Sequence, residues 1–366
     1  MATRPALYIG LMSGTSMDGV DGALCDLGAS LPRPLASHHL SYPDRLRHEL
    51  LSLREPGEDE LHRAALLSAE LAELYAECVE ALLSGARIPA SRIAAIGCHG
   101  QTIRHRPEMH YSVQLDNPAL LAERTGITVV ANFRARDLAA GGQGAPLVPA
   151  FHDAVFRLPN RHRVVLNLGG IANLTDLAPG HATCGFDCGP GNTLMDAWIE
   201  SIRGLRFDEN GDFAASGKPI ERLLAAMMSH PYLALPPPKS CGQEQFNPDW
   251  VKALLEGDER PEDVQATLLE FTATGVTRAI GRWCGAPDEV LVCGGGSRNG
   301  ALVTRLAALL PGVRLRVTDD LGLAATQVEA CAFAWLAMRA TNGLPGNLPE
   351  VTGACAPRVL GAIHPA

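Results

Sequence analysis

Short apolar runs alternate with glycine-rich turns along this chain, and one arrangement of them occurs twice. Ala6-Leu7-Tyr8-Ile9-Gly10-Leu11-Met12 leads into Ser13-Gly14-Thr15-Ser16-Met17-Asp18-Gly19, and Val20-Asp21-Gly22-Ala23-Leu24 is apolar again. Apolar run, small polar turn and apolar run predict a β-hairpin. Residues 163–177 read the same way around Gly169-Gly170. Each hairpin is followed later by an apolar strand ending in a small polar turn: 94–98 into His99-Gly100-Gln101-Thr102, and 290–293 into Gly294-Gly295-Gly296-Ser297. Two such halves predict two similar domains facing a cleft, divided as 1–140 and 141–366, with the C-terminal tail able to pack back onto the first.

Between these signals the period changes. Leucine and alanine at helical spacing predict a helix over 59–84 that stops at Gly85, and Asn117 with Pro118 predicts a capped helix start. A strand at 127–133, a long helix at 262–283, a strand at 315–318 and an apolar helix at 327–340 complete the outline. At 366 residues the chain exceeds one comfortable core, which agrees with two domains. A net charge of −9 with no basic run argues against nucleic acid and anionic membrane surfaces as partners, and no stretch is apolar for long enough to span a membrane. Ten cysteines are scattered through apolar segments, as expected of a reducing cytoplasm.

The candidate chemistry sits in the turns. Ser13, Gly14, Thr15 and Ser16 offer small hydroxyls and backbone N–H groups to a phosphate, although a tight turn alone would explain them equally well. Asp18 and Asp21 can hold Mg²⁺ through water. Val20 stands where a P-loop needs lysine, so this is not a Walker A site. In the second half Asn167, Gly169 and Gly170 occupy the equivalent turn. His99, Gln101 and Thr102 leave a strand at its carboxyl end, where open α/β sheets bind ligands. His99, His105 and His110 have no acidic residue among them, which favours hydrogen bonding to a polar substrate over a metal cluster. Residues 132–146, with Arg134 and a glycine run, read as a segment that lines the cleft and joins the domains, or as a solvated linker. Asp187, in a Gly/Pro turn, is the candidate base; Asn192 or Thr193 caps the following helix, and Asp196 there can merely complement the helix dipole. The loop 236–244 holds Lys239, one of only three lysines, and covers the cleft or acts as a spacer. Gly294, Gly295 and Gly296 leave room for an adenosine against bare backbone. Glu329 is a first-turn charge partner or a substrate contact, and taken alone the former is favoured.

Duplicated domains with two phosphate hairpins and a late glycine turn look like the superfamily of actin, the sugar kinases and the heat-shock-chaperone ATPases. Within it, six segments resemble the anhydro-N-acetylmuramic acid kinases of bacterial cell-wall recycling: 10–19, 99–105, 141–149, 185–192, 292–296 and 329–335. The resemblance implies an α/β fold of two duplicated actin/hexokinase-like (ribonuclease H-like) domains around a central cleft. It also implies a cytoplasmic enzyme that turns 1,6-anhydro-N-acetylmuramic acid, ATP and water into N-acetylmuramic acid 6-phosphate and ADP. On this reading Gly14, Thr15, Ser16, Met17, Asp18, Gly19, Val20 and Asp21 contact ATP and Mg²⁺. Asp187 activates the water at C1, and Glu329, with His99, Gln101, Thr102 and Arg134, contacts the sugar. The partners implied are small molecules, and a homodimer is left open. Asn132, Cys241 and Gln243 depart from the family pattern, which commonly has Asp, Thr and Arg there. The runner-up is another sugar kinase of the superfamily acting on a free hexose or amino sugar. A hydrolase pairing Asp187 with Asp196 would not need two phosphate hairpins. A chaperone-like ATPase would need a separate peptide-binding domain.

Overall fold

The computed structural model describes residues 6–14, 17–29, 32–241 and 245–366. The chain forms two compact units, Met1–Val155 with Gln327–Ala366, and Phe156–Thr326. In the first unit β1 (Leu7–Ser13), β2 (Gly19–Asp26) and β3 (Arg33–Ser41) form an antiparallel meander. β4 (Ile93–Arg106) then pairs parallel with β1; β5 (Tyr111–Leu115) folds back on β4, and β6 (Val129–Ala131) adds in parallel beyond it. The second unit repeats the plan. β7 (Arg163–Leu168), β8 (Ile171–Leu177) and β9 (Cys184–Pro190) form the meander, β10 (Glu289–Cys293) pairs parallel with β7, and β11 (Arg314–Val317) pairs parallel with β10. The chain closes with β12 (Ala362–His364), antiparallel to β6 at the edge of the first sheet.

Burial explains which runs became central strands. Every residue of β7 and β10 is buried, the signature of a parallel pair covered on both faces, whereas edge strand β3 alternates between exposed and half-buried positions. In the first unit the helix Val328–Thr341 packs directly on β1 and β4. Gly10 and Gly97 are register partners on those strands, and a Cβ at either would lie 1.8 Å from Ala330 O or 2.0 Å from Phe333 O. Two side-chain-free positions therefore make a trough for the helix backbone, which is why the C-terminal part of the chain belongs to the first unit.

The division at 140/141 is displaced: the units part at 155/156, and the second ends at 326. The glycine run that reads as a linker is folded into the first unit by Asp137. Its fully buried carboxylate accepts from Gly144 N at 2.8 Å, Asn347 Nδ2 at 2.6 Å and Thr352 Oγ1 at 2.7 Å. Gln143 N also donates to Thr352 O at 2.8 Å. The long helix Glu60–Ala86 runs through Gly85, ending instead at Arg87 in a left-handed conformation. The helix expected over 262–283 is α-helical only across Pro261–Ala279 and finishes in a wider π turn, Ile280–Cys284. Asp187 lies within β9, opposite Asn173, rather than in a turn.

Candidate active site

In the first unit the end of β1 and the middle of β4 bring Ser13, Gly14, His99 and Gln101 together, because β1 and β4 are parallel neighbours with Ser13 opposite Gln101. The Ser13 hydroxyl is turned into the core, accepting from Tyr42 OH at 2.7 Å with Tyr75 OH at 3.0 Å. That cluster anchors the strand end, and burial raises the pKa of both phenols. Thr15 and Ser16 lie outside the described residues. Met17 closes the turn with φ +52° and a fully buried side chain, an uncommon conformation for a bulky residue that its packing sustains.

His99 is fixed as a neutral imidazole by its partners. Nδ1 lies 3.2 Å from Ser13 O and must donate, while Nε2 lies 2.7 Å from Arg134 Nη2 and must accept. Burial, and then the Arg134 charge, push its pKa down to about 3. Arg134 also donates through Nη1 to Gly144 O at 2.7 Å, so Asp137, Gly144, Arg134, His99 and Ser13 form one continuous relay. Gln101 donates from Nε2 to Gly14 O at 3.0 Å; its Oε1 is buried and has no donor among the described residues. Such a buried acceptor, beside Gly14, is suited to a ligand hydroxyl. Thr102 is engaged elsewhere, accepting from Gln114 Nε2 at 3.3 Å. Glu329 opens the helix Val328–Thr341 one turn before Phe333, whose ring packs against His99 with centroids 4.8 Å apart.

The two acidic residues of the turn are accessible. Asp18 is exposed; Asp21 is half-exposed and lies opposite His39 across β2 and β3, its Oδ1 2.9 Å from His39 Nδ1. Among the described residues no three metal-type side chains gather into a ligand cluster. Two accessible carboxylates, one of them held by His39, are oxygen donors of the kind that a hard cation keeping most of its water, such as Mg²⁺, takes.

In the second unit the turns at 169–170 and 191–193 are bonded to one another through backbone. Gly191 N and Thr193 N donate to Gly170 O, at 2.9 and 3.2 Å, and Asn192 N donates to Gly169 O at 2.9 Å. The side chains expected to cap the next helix are used here instead: Asn192 Nδ2 donates to Leu168 O and Thr193 Oγ1 to Gly170 O. Gly294 sits at φ +84°, where a Cβ would come within 2.4 Å of Asn167 Oδ1, so only glycine lets β10 turn this close to β7. Gly295 is exposed, with open space at its Cβ position. Asn167, Gly169, Gly170, Gly294 and Gly296 are thus gathered at the carboxyl ends of β7 and β10.

Asp187 is held separately, by a strap the sequence shows only as a proline-rich loop. Its N–H donates to Lys239 O at 3.1 Å, its main-chain oxygen accepts from Tyr232 OH at 2.8 Å, and its Oδ2 accepts from Cys241 N at 2.9 Å. A half-buried carboxylate on a strand, gripped through its backbone, can accept a proton from a fixed direction. Of the departures from the family pattern, Cys241 contacts Asp187 through its backbone, which any residue supplies; Gln243 lies outside the described residues, and Asn132 precedes the helix Phe133–Ala139 at φ +56°. The tyrosines 42, 75 and 232, His39 and Asp137 carry no sequence signal of these roles, since each depends on strand register or on a distant loop.

The fold is similar to that of component A of (R)-2-hydroxyglutaryl-CoA dehydratase from Acidaminococcus fermentans, with a TM-score of 0.50 at 13% identity over 90% of this chain and 96% of that one. In sequence the chain is similar over its whole length to two anhydro-N-acetylmuramic acid kinases. The Nitrosospira multiformis protein is 52% identical over 365 residues, covering 99% of this chain and all of that one. The Thiobacillus denitrificans protein is 55% identical over 363 residues, covering 98% and 97%. The family model for anhydro-N-acetylmuramic acid kinase matches residues 6–366. The match takes in the glycine turns, the His99 relay and the Asp187 strap, and the chain belongs to the anhydro-N-acetylmuramic acid kinase family.

Proposed function

We propose that this chain uses ATP and water to open 1,6-anhydro-N-acetylmuramic acid and phosphorylate its O6, releasing N-acetylmuramic acid 6-phosphate and ADP. The observation that carries the reading is the family match over residues 6–366. The held carboxylate of Asp187 supports its chemistry. The bridge ties C1 to O6, so water attacking C1 breaks the C1–O6 bond and frees an oxygen already placed to attack the γ-phosphorus. Asp187 takes the proton of the attacking water, the water oxygen stays on C1, and the bridge oxygen becomes the phosphate ester as ADP departs. The backbone of the turns at 13–21, Asn167, Gly169 and Gly170 would cradle phosphates, with the Ser13 side chain serving as anchor, and Gly294, Gly295 and Gly296 would lie against the nucleoside. Asp18 and Asp21 would hold Mg²⁺ through water; when bound, the ion neutralises phosphate charge. Gln101, Arg134 and Glu329 are the sugar-contact residues, with His99, whose two ring nitrogens are already engaged, positioning Arg134, and Thr102 a more distant member of that set. The product serves peptidoglycan recycling, and a cytoplasmic site of action is part of the reading. No helix among the described residues is long and apolar enough to cross a membrane.

The test is ADP release with mass analysis of the sugar product. Release should depend on the anhydrosugar and give a product heavier than it by the elements of HPO3 and water together. ADP released without the sugar, or a product lacking either increment, would remove the reading.

A further inference from the structure

Lys239 is the buried one of the three lysines; Lys218 and Lys252 are exposed. A buried ammonium requires compensation: Nζ donates to Tyr232 O at 3.2 Å and stands 4.6 Å above the Tyr232 ring, with the Phe186 ring farther off at 6.0 Å. Tyr232 in turn donates its hydroxyl to Asp187 O at 2.8 Å. The other end of the same segment returns to Asp187, Lys239 O accepting Asp187 N and Cys241 N donating to Asp187 Oδ2. Three polar groups of Asp187, its N–H, its carbonyl and its carboxylate, are therefore tied to Tyr232 and residues 239–241. Burial pushes the Lys239 pKa down; the Cys188 and Cys241 thiols and the Asp187 carboxylate oppose this, and Arg282 from the turn Ile280–Cys284 adds to it.

We propose that Lys239 is a positioning residue for the base: anchored on Tyr232, it holds the 239–241 strap so that the Cys241 amide fixes the Asp187 carboxylate. The inference rests on Asp187 being the base. A packing role alone would leave the titration of the reaction where it was. A hydrogen bond donated to the carboxylate favours its charged form, so loosening the strap that delivers the Cys241 amide moves the acid limb upward.

The experiment measures kcat and KM from about pH 5 to 9 for Lys239→Met, Tyr232→Phe, Asp187→Asn and the double variant Asp187→Asn/Lys239→Met. Lys239→Met should lower kcat by about 100-fold and move the acid limb of kcat up by about one pH unit, with KM for ATP within about twofold. Tyr232→Phe keeps the ring beneath the ammonium and removes one hydrogen bond; it should lower kcat about fivefold and leave the acid limb in place. The double variant should be no slower than Asp187→Asn, as expected when one residue acts through the other. An unmoved acid limb in Lys239→Met overturns the proposal even if kcat falls. If that variant does not fold, an unchanged kcat in Tyr232→Phe overturns it. A turnover near normal in Asp187→Asn would instead reject Asp187 as the base, an outcome distinct from either.

Discussion

Asp187 accepts from the Cys241 amide through one carboxylate oxygen, so its side chain has a set direction. Asp187→Asn keeps the shape and removes the basicity; it should lower kcat by roughly 10²- to 10⁴-fold while ATP affinity measured by calorimetry stays within about twofold. His99 illustrates the opposite use of burial. With Nδ1 donating to Ser13 O and Nε2 accepting from Arg134, it acts as a neutral spacer across the physiological range. Both residues stand out in the sequence, His99 at the polar end of an apolar run, although β4 continues through it to Arg106, and Asp187 among glycines. What holds them does not, because Arg134 reaches His99 only once β4 and β6 are neighbours, and Lys239 lies 52 positions after Asp187.

Among the elements, the helix Val328–Thr341 is the most demanding in its fit. Gly97→Ala would place a methyl 2.0 Å from Phe333 O, displacing the helix that begins with Val328 and Glu329. The expected loss is about 3 kcal/mol or more in urea unfolding, together with a higher KM for the sugar. Glycines inside apolar strands are a sequence sign of close backbone approach, but the element that approaches lies more than 200 residues away and cannot be named from the pattern. The glycine run at 141–144 shows the converse error. Its composition reads as a linker, yet Asp137 binds it to Asn347 and Thr352. Asp137→Ala leaves three buried donors without their acceptor and should cost about 3 kcal/mol, with faster amide exchange at Gly144 as its local signature.

For the molecule as a whole, the duplication is legible in the sequence as paired hairpins and paired late strands, and it becomes the same strand order in each unit. That the C-terminal tail can return to the first unit is legible, but where the second unit is inserted, between 155 and 327, is not, because no compositional break marks it. Acid should weaken the first unit in particular. His99 and His152 have pKa values lowered to about 3, and His105 to about 4, each mainly by burial. The unfolded chain takes up these protons below about pH 6.5 while the folded one does not, so stability is present above that pH and falls on acidification by up to about 1.4 kcal/mol per pH unit for each. Asp116, raised by burial to about 6, acts in the opposite sense as pH falls from there to its ordinary value. Three histidines outweigh one aspartate, so the urea midpoint should drop between pH 7 and 5, and His152→Gln should reduce the slope.

The central claim is that bridge opening and phosphoryl transfer are one event, with water arriving at C1 and the bridge oxygen carrying the phosphate. Once opened, the sugar no longer presents O6 in the bridged geometry, so free N-acetylmuramic acid should be phosphorylated poorly. The most direct measurement is the position of label when ATP and the anhydrosugar react in 18O-labelled water and the reaction is stopped early, with the free sugar run in parallel. The account predicts label at C1, none in the product phosphate, and little use of the free sugar. Label in the phosphate, or efficient phosphorylation of the free sugar, would contradict it and leave an ordinary sugar kinase.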